Sequence, residues 1–134
     1  MVTFLYTRCT DSCPVTGAKL AEAISSLGAR GRRVAVVGIT VDPAHDSPAA
    51  ARAWLRRLHE PANFHFLLGA KRRLLPLWDA FNVEPQDVRY PNDTHSSAIW
   101  LVDRRGRLRV QYEAADPVSA HALAHDLQRL LENA

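Results

Sequence analysis

The sequence predicts an α/β domain with the element order βαβαβαββα, and three observations carry the prediction. Short apolar runs of strand length alternate with segments of helical period. Proline and glycine punctuate the turns between them, at Pro14, Gly28, Gly31, Pro48, Pro61 and Gly106. No repeat, low-complexity tract or long linker divides the chain, so its 134 residues, 47% of them hydrophobic, are expected to form one domain. A domain of this size buries roughly two thirds of the surface its unfolded chain exposes, enough for a core without disulfide staples.

Val2 to Thr7 has the β-branched and aromatic content of a buried strand. A polar turn leads to Pro14, a residue favoured at the first helical position, and a helix is expected from there to about Leu27. Its inward face reads as Ala18, Leu20, Ala21, Ile24 and Leu27, with Gly28 and Gly31 as the stop. Arg33 to Val41 is nearly uninterrupted in its apolar character, as in a parallel strand covered on both faces. Ser47 and Pro48 form the cap and first residue of a second helix, with Ala51, Trp54, Leu55 and Leu58 inward and Pro61 beyond its end. Phe64 to Leu68 reads as a third strand, and Leu74 to Phe81 as a helix that Pro76 begins or kinks. A turn-rich loop, Asn82 to Thr94, precedes Ser97 to Val102 and Leu108 to Tyr112, a hairpin across Asp103-Arg-Arg-Gly106. Pro117 opens a last helix with Leu123, Leu127, Leu130 and Leu131 inward. This order is shared by thioredoxin-like domains, and right-handed crossovers put strand 2–7 between strand 33–41 and an antiparallel strand 97–102.

Seventeen basic residues against 14 acidic ones give a net charge of +3, an excess carried in scattered arginine clusters. These clusters have no interleaved aromatic platform and no groove-reading motif, which excludes nucleic-acid binding as a reading. The longest strongly apolar run, Val34 to Val41, is far short of the ~20 residues that span a bilayer. No basic-then-apolar leader precedes the first strand, so neither an anchor nor an export signal is expected in the chain as written.

Cys9 and Cys13 lie in Thr-Arg-Cys-Thr-Asp-Ser-Cys-Pro, between the first strand and the first helix, where α/β sheets place their ligand sites. They flank a polar turn rather than an apolar run. Helix N–H groups and neighbouring Arg8 favour thiolate at Cys13 and also at Cys9. Three intervening residues allow a disulfide or a wider bite on a shared metal ion. His95 precedes the antiparallel strand, whose start lies beside the end of strand 2–7, so it is expected to reach the cysteine loop from more than eighty residues away. His45, His59 and His65 read as surface or partly packed residues, and His121 with His125 as an incidental helical pair. A four-ligand zinc site lacks its second cysteine pair. Two thiolates and one imidazole form a soft set suited to Cu(I), able to retain Cu(II) with added hard or water ligands. The same dithiol emptied of metal can cycle as a disulfide, so its redox state would gate metal loading.

Three separated motifs resemble the SCO/SenC family of copper-binding, thioredoxin-like proteins that assist cytochrome c oxidase assembly. They are FLYTRCTDSCPVT with its CxxxCP core, VDPAHDSP, and HSSAIWLVDRRGRL, and the likeness runs over essentially all of the chain. The resemblance implies copper ligands at Cys9, Cys13 and His95. Asp42, Pro43, Asp46 and Pro48 match the family's loop near the site, where turn shaping and partner docking are both open roles. Family members usually carry a membrane anchor or signal, a linker, and a hairpin and strand ahead of the cysteine-bearing strand. Their absence here is expected of a fragment, of a true start that lies upstream, or of a domain trimmed to its core, and the last leaves a sheet edge or face less covered, with reduced stability or a dimer contact. The resemblance also implies an extracytoplasmic, membrane-anchored location on the periplasmic side.

The leading functional expectation is a metallochaperone that hands copper to an oxidase copper-site subunit or another copper protein by ligand exchange. The alternative is a thiol-disulfide oxidoreductase, with Cys9 and Cys13 as its redox pair, that keeps copper-site cysteines reduced. Against that alternative stand three spacer residues where thioredoxins have two, and Thr94-His95-Ser96-Ser97 where they have a proline. Either role calls for a thiol reductant. A peroxidase lacks its activating Pro-x-x-x-Thr-x-x-Cys pattern, and a copper or redox sensor would use the same ligands as a chaperone.

Overall fold

A computed structural model describes residues 1–85, 98–113 and 118–133. The elements are β1 (Val2–Leu5), α1 (Ser12–Ser26), a 3-10 helix (Gly28–Arg33), β2 (Val36–Thr40), α2 (Pro48–Arg57), β3 (Phe64–Leu67), α3 (Lys71–Ala80), β4 (Ile99–Val102), β5 (Leu108–Tyr112) and α4 (Ala120–Glu132). They build a five-stranded mixed sheet, ordered β3-β2-β1-β4-β5, flanked by helices. β1 pairs parallel with β2, Leu5 opposite Thr40, and antiparallel with β4, Val2 opposite Trp100. The expected central position of the first strand and the thioredoxin-like order are therefore what the chain adopts.

The differences lie at element ends, and each has a local cause. β1 stops at Leu5 rather than Thr7, because the Thr7 N–H and hydroxyl both turn to Asp46 Oδ1, at 2.9 and 2.6 Å. β2 begins at Val36 rather than Arg33, because residues 28–33 wind into the 3-10 helix, closed by Val34 N–H on the Gly31 carbonyl at 3.0 Å. α1 starts at Ser12, ahead of Pro14. That proline is the third helical residue, where its missing N–H would have had no intrahelical acceptor. The buried face of α1 is Cys13, Thr16, Gly17, Leu20, Ala23 and Ile24, whereas Ala18 is exposed. α3 begins at Lys71 and runs through an exposed Pro76. α4 begins at Ala120, capped by Ser119 Oγ accepting the Ala122 N–H at 3.1 Å; Pro117, expected to open it, lies outside the described residues. Ser47 caps α2 as expected, accepting the Ala50 N–H at 3.1 Å.

Two packing clusters hold the sheet to its helices. Phe4, Phe81 and Trp100 meet in tilted or edge-on pairs at 5.1 to 5.5 Å and tie β1 and β4 to the end of α3. Trp54 of α2 meets Phe64 and Phe66 of β3 at 5.9 and 5.7 Å. Gly17 admits Trp54 closely against α1, where a Cβ would stand 3.0 Å from its Cη2. α1 also packs against α4. Among the described residues no helix is long and apolar enough to cross a membrane.

Candidate metal centre

The chain leaves β1 at Leu5, turns with the Cys9 N–H on the Tyr6 carbonyl at 3.2 Å, and begins α1 at Ser12. This short turn keeps both cysteines at one end of the sheet. Both are free thiols and both are buried, Cys9 at 4% and Cys13 at 1% exposure. The Cys13 N–H donates to Cys9 Sγ at 3.3 Å, and Ser12 Oγ stands 3.7 Å from the same sulfur. A hydrogen bond from the Cys13 thiol is the largest effect on Cys9; burial opposes it, and the backbone of Cys13 and Asp11 with the Ser12 side chain reinforces it, bringing Cys9 down to about 4. Cys13 moves the other way, raised by donating to Cys9 and by its own burial.

Within the pair Cys9 is the sulfur drawn toward thiolate, as expected of it, whereas Cys13, expected to be lowered as well, is raised because it donates to Cys9 from a buried position. The free N–H groups of the helix start do lower a thiol, but it is the sulfur before the helix that receives them. Tyr6 is raised to about 12, chiefly by burial and then by the neighbouring Cys9 charge.

The loop after β2 clamps this turn. Asp42, 2% exposed, accepts from Arg8 Nη2 at 2.9 Å and Nε at 3.3 Å, and its other oxygen lies 2.8 Å from His45 Nδ1. Arg8 Nη2 also lies 2.8 Å from that ring nitrogen. Asp46 takes both polar hydrogens of Thr7 on Oδ1 and the Thr40 hydroxyl on Oδ2 at 2.5 Å. Thr40 Oγ1 in turn accepts the Asp42 N–H at 3.0 Å. Sequence reading gave Asp42 and Asp46 a loop-shaping role but missed their partners, Thr7 and Arg8. The available signal was topological: parallel β1 and β2 end at the same edge, so the loops that follow them meet.

β4 runs back along β1 from the cysteine end, with Thr3 Oγ1 donating to the Ala98 carbonyl at 3.1 Å. His95, the expected third ligand, lies outside the described residues. Among the described residues no group of three His, Cys, Asp or Glu is gathered for a metal ion. Of the three expected ligands, the fold thus brings Cys9 and Cys13 together. A thiolate beside a hydrogen-bonded thiol, buried at a helix start, is a donor pair that fits a soft ion such as Cu(I).

Known proteins resemble the chain in sequence and in fold. The chain is 30% identical over 114 residues to an SCO2-like protein of Rickettsia conorii, covering 80% of this chain and 54% of that protein. It thus spans about half the length of the curated relatives it matches. Among solved structures it resembles Bradyrhizobium japonicum ScoI with copper bound, with a TM-score of 0.77 and 25% identity over 96% of this chain and 82% of that one. Arabidopsis thaliana ScoI with copper bound shares the fold, at a TM-score of 0.84 and 21% identity over 99% and 83% of the two chains. The family described as SCO1/SenC matches residues 1–132, nearly the whole length, and the chain therefore belongs to the SCO1/SenC family.

Proposed function

We propose that the chain binds copper through Cys9, Cys13 and His95 and serves as a metallochaperone in cytochrome c oxidase assembly. The supporting observation is the buried pair itself: two free cysteines at the start of α1, the Cys13 N–H on Cys9 Sγ, in a chain of the SCO1/SenC family. Copper is the cargo, held as Cu(I) by preference because two sulfurs and an imidazole suit a soft ion; Cu(II) would need added hard or water ligands. Loading expels the Cys13 proton, so uptake weakens as pH falls. Release proceeds by ligand exchange, with a cysteine or histidine of an oxidase copper-site subunit, or of another copper protein, replacing the chain's donors one at a time. In the cell the domain would work on the periplasmic side, attached to the membrane.

Anaerobic Cu(I) titration against a competing chelator tests this reading on the reduced chain and its variants. One copper per chain is expected, lost in Cys9→Ser and Cys13→Ser and weakened in His95→Ala. Unchanged affinity in all three variants would overturn it.

The Cys9 thiolate also favours a second reading, a thiol-disulfide oxidoreductase. Cys9 would attack a target disulfide, releasing one target thiol, and Cys13 would resolve the mixed disulfide and release the other. The chain leaves as a Cys9–Cys13 disulfide, and an external thiol reductant restores it. Full turnover of metal-free His95→Ala would favour this reading over the chaperone.

A further inference from the structure

The arginines are distributed unevenly, and the unevenness has a direction. Trp100 of β4 lies opposite Val2, so the turn from Asp103 to Arg107 projects beyond the start of β1, at the pole opposite the cysteines. At that pole a cavity of about 430 Å³ opens between this turn with β5 on one side and the C-terminal half of α4 on the other. A second cavity, of about 300 Å³, adjoins it and extends to the end of the 3-10 helix. Together they are lined by Arg33, Arg104, Arg105, Arg107, Arg109 and Arg129 but only two acids, Asp103 and Asp126. That lining carries a net +4, against +3 for the entire chain, so the remainder of the molecule is slightly acidic.

Both acids are already engaged. Asp103 holds Arg107 Nε at 2.9 Å and Arg109 Nη1 at 3.2 Å and also accepts the Arg105 and Arg107 backbone N–H groups. Asp126 accepts the Tyr112 hydroxyl at 2.5 Å and lies 3.0 Å from His125 Nδ1. Arg33, Arg104 and Arg105 form no ion pair among the described residues. Asp103 braces the turn that displays them.

We propose that this arginine pole docks on a membrane surface bearing anionic phospholipid headgroups. Guanidinium forks suit phosphate oxygens, and arginines from a 3-10 helix, a hairpin and a helix present a face rather than a slot for one small anion. A protein partner that exchanges ligands or electrons with the cysteines must meet the opposite pole. A lipid surface at the arginine pole leaves that end turned outward and open.

Vesicle co-sedimentation with the metal-free chain tests the proposal independently of copper. The chain is expected to sediment with vesicles of phosphatidylcholine mixed with phosphatidylglycerol and to stay in solution with phosphatidylcholine alone, the binding fading as salt is raised. Replacing Arg104, Arg105 and Arg129 together by Gln should weaken binding about a hundredfold. Arg52→Gln, Arg56→Gln and Arg57→Gln, combined on exposed positions of α2, should leave it within about twofold. A triple Lys variant at 104, 105 and 129 keeps the charge and should retain binding, which separates charge from folding. Absence of binding to the mixed vesicles at low ionic strength would overturn the proposal. So would equal losses in the two Gln variants, or capture of inorganic phosphate or an acidic peptide without capture of vesicles.

Discussion

Glu60 is the residue whose chemistry most conflicts with its surroundings. Both of its carboxylate oxygens are buried with no hydrogen-bond partner among the described residues, beside Gly17 and Trp54, and burial raises it from 4.5 to about 7. A carboxyl raised on folding makes the native state bind more protons than the unfolded chain. Stability is therefore unaffected below about pH 4.5, falls as pH rises from there to about 7, and stays reduced above it. With a discount for partial solvent access, the cost at pH 8 is about 1 to 2 kcal/mol. Glu60→Gln removes the charge and keeps the shape. Urea unfolding should show the variant gaining that amount relative to the parent between pH 4.5 and pH 8; a pH-independent difference would assign Glu60 a partner on folding.

At the scale of elements, the cysteine turn is held less by its own residues than by the loop after β2. Asp46 satisfies the Thr7 N–H, the Thr7 hydroxyl and the Thr40 hydroxyl at once, so one carboxylate joins the β1–α1 turn to the end of β2. Asp46→Ala leaves the Thr7 N–H unpaired and should cost about 2 to 3 kcal/mol, lowering Tm by roughly 10 °C. Cu(I) affinity should fall with it while Cys9 and Cys13 remain in place, whereas an unchanged affinity would limit Asp46 to stability. This clamp also marks where sequence reading stops. Element order and the neighbours of β1 are legible because apolar runs and crossover handedness are properties of pattern. The ends of β1 and β2 are not, because Thr7 is drawn off its strand by an acceptor 39 residues away and Arg33 into a 3-10 helix. Likewise CxxxCP is visible as a motif, but which sulfur ionises depends on Cys13 donating its proton toward Cys9 from within the core.

For the molecule as a whole, the sheet converts distant segments into one functional end. Parallel β1 and β2 finish there and antiparallel β4 starts there, so the cysteine turn, the Asp42–Asp46 loop and the start of β4 share one end of the sheet only when β1 has paired with both neighbours. A copper ion bound by donors that folding assembles must stabilise the folded chain by mass action. At free Cu(I) one hundredfold above the dissociation constant the gain is about 2.7 kcal/mol, or roughly 10 °C in Tm for a domain of this size. Cys9 and Cys13 are four residues apart, so the unfolded chain retains some affinity for the ion and the observed shift falls below that ceiling. In the proposed site a third ligand decides how far below. If His95 completes the set only in the folded chain, His95→Ala should lose a large part of the copper-induced shift, because two near-neighbour sulfurs bind almost as well unfolded as folded. Cys13→Ser should abolish the shift outright. Anaerobic thermal melts of the three proteins, with and without Cu(I) and at fixed free copper, provide the measurement. An equal shift in His95→Ala and the parent would leave copper held by the sulfurs alone.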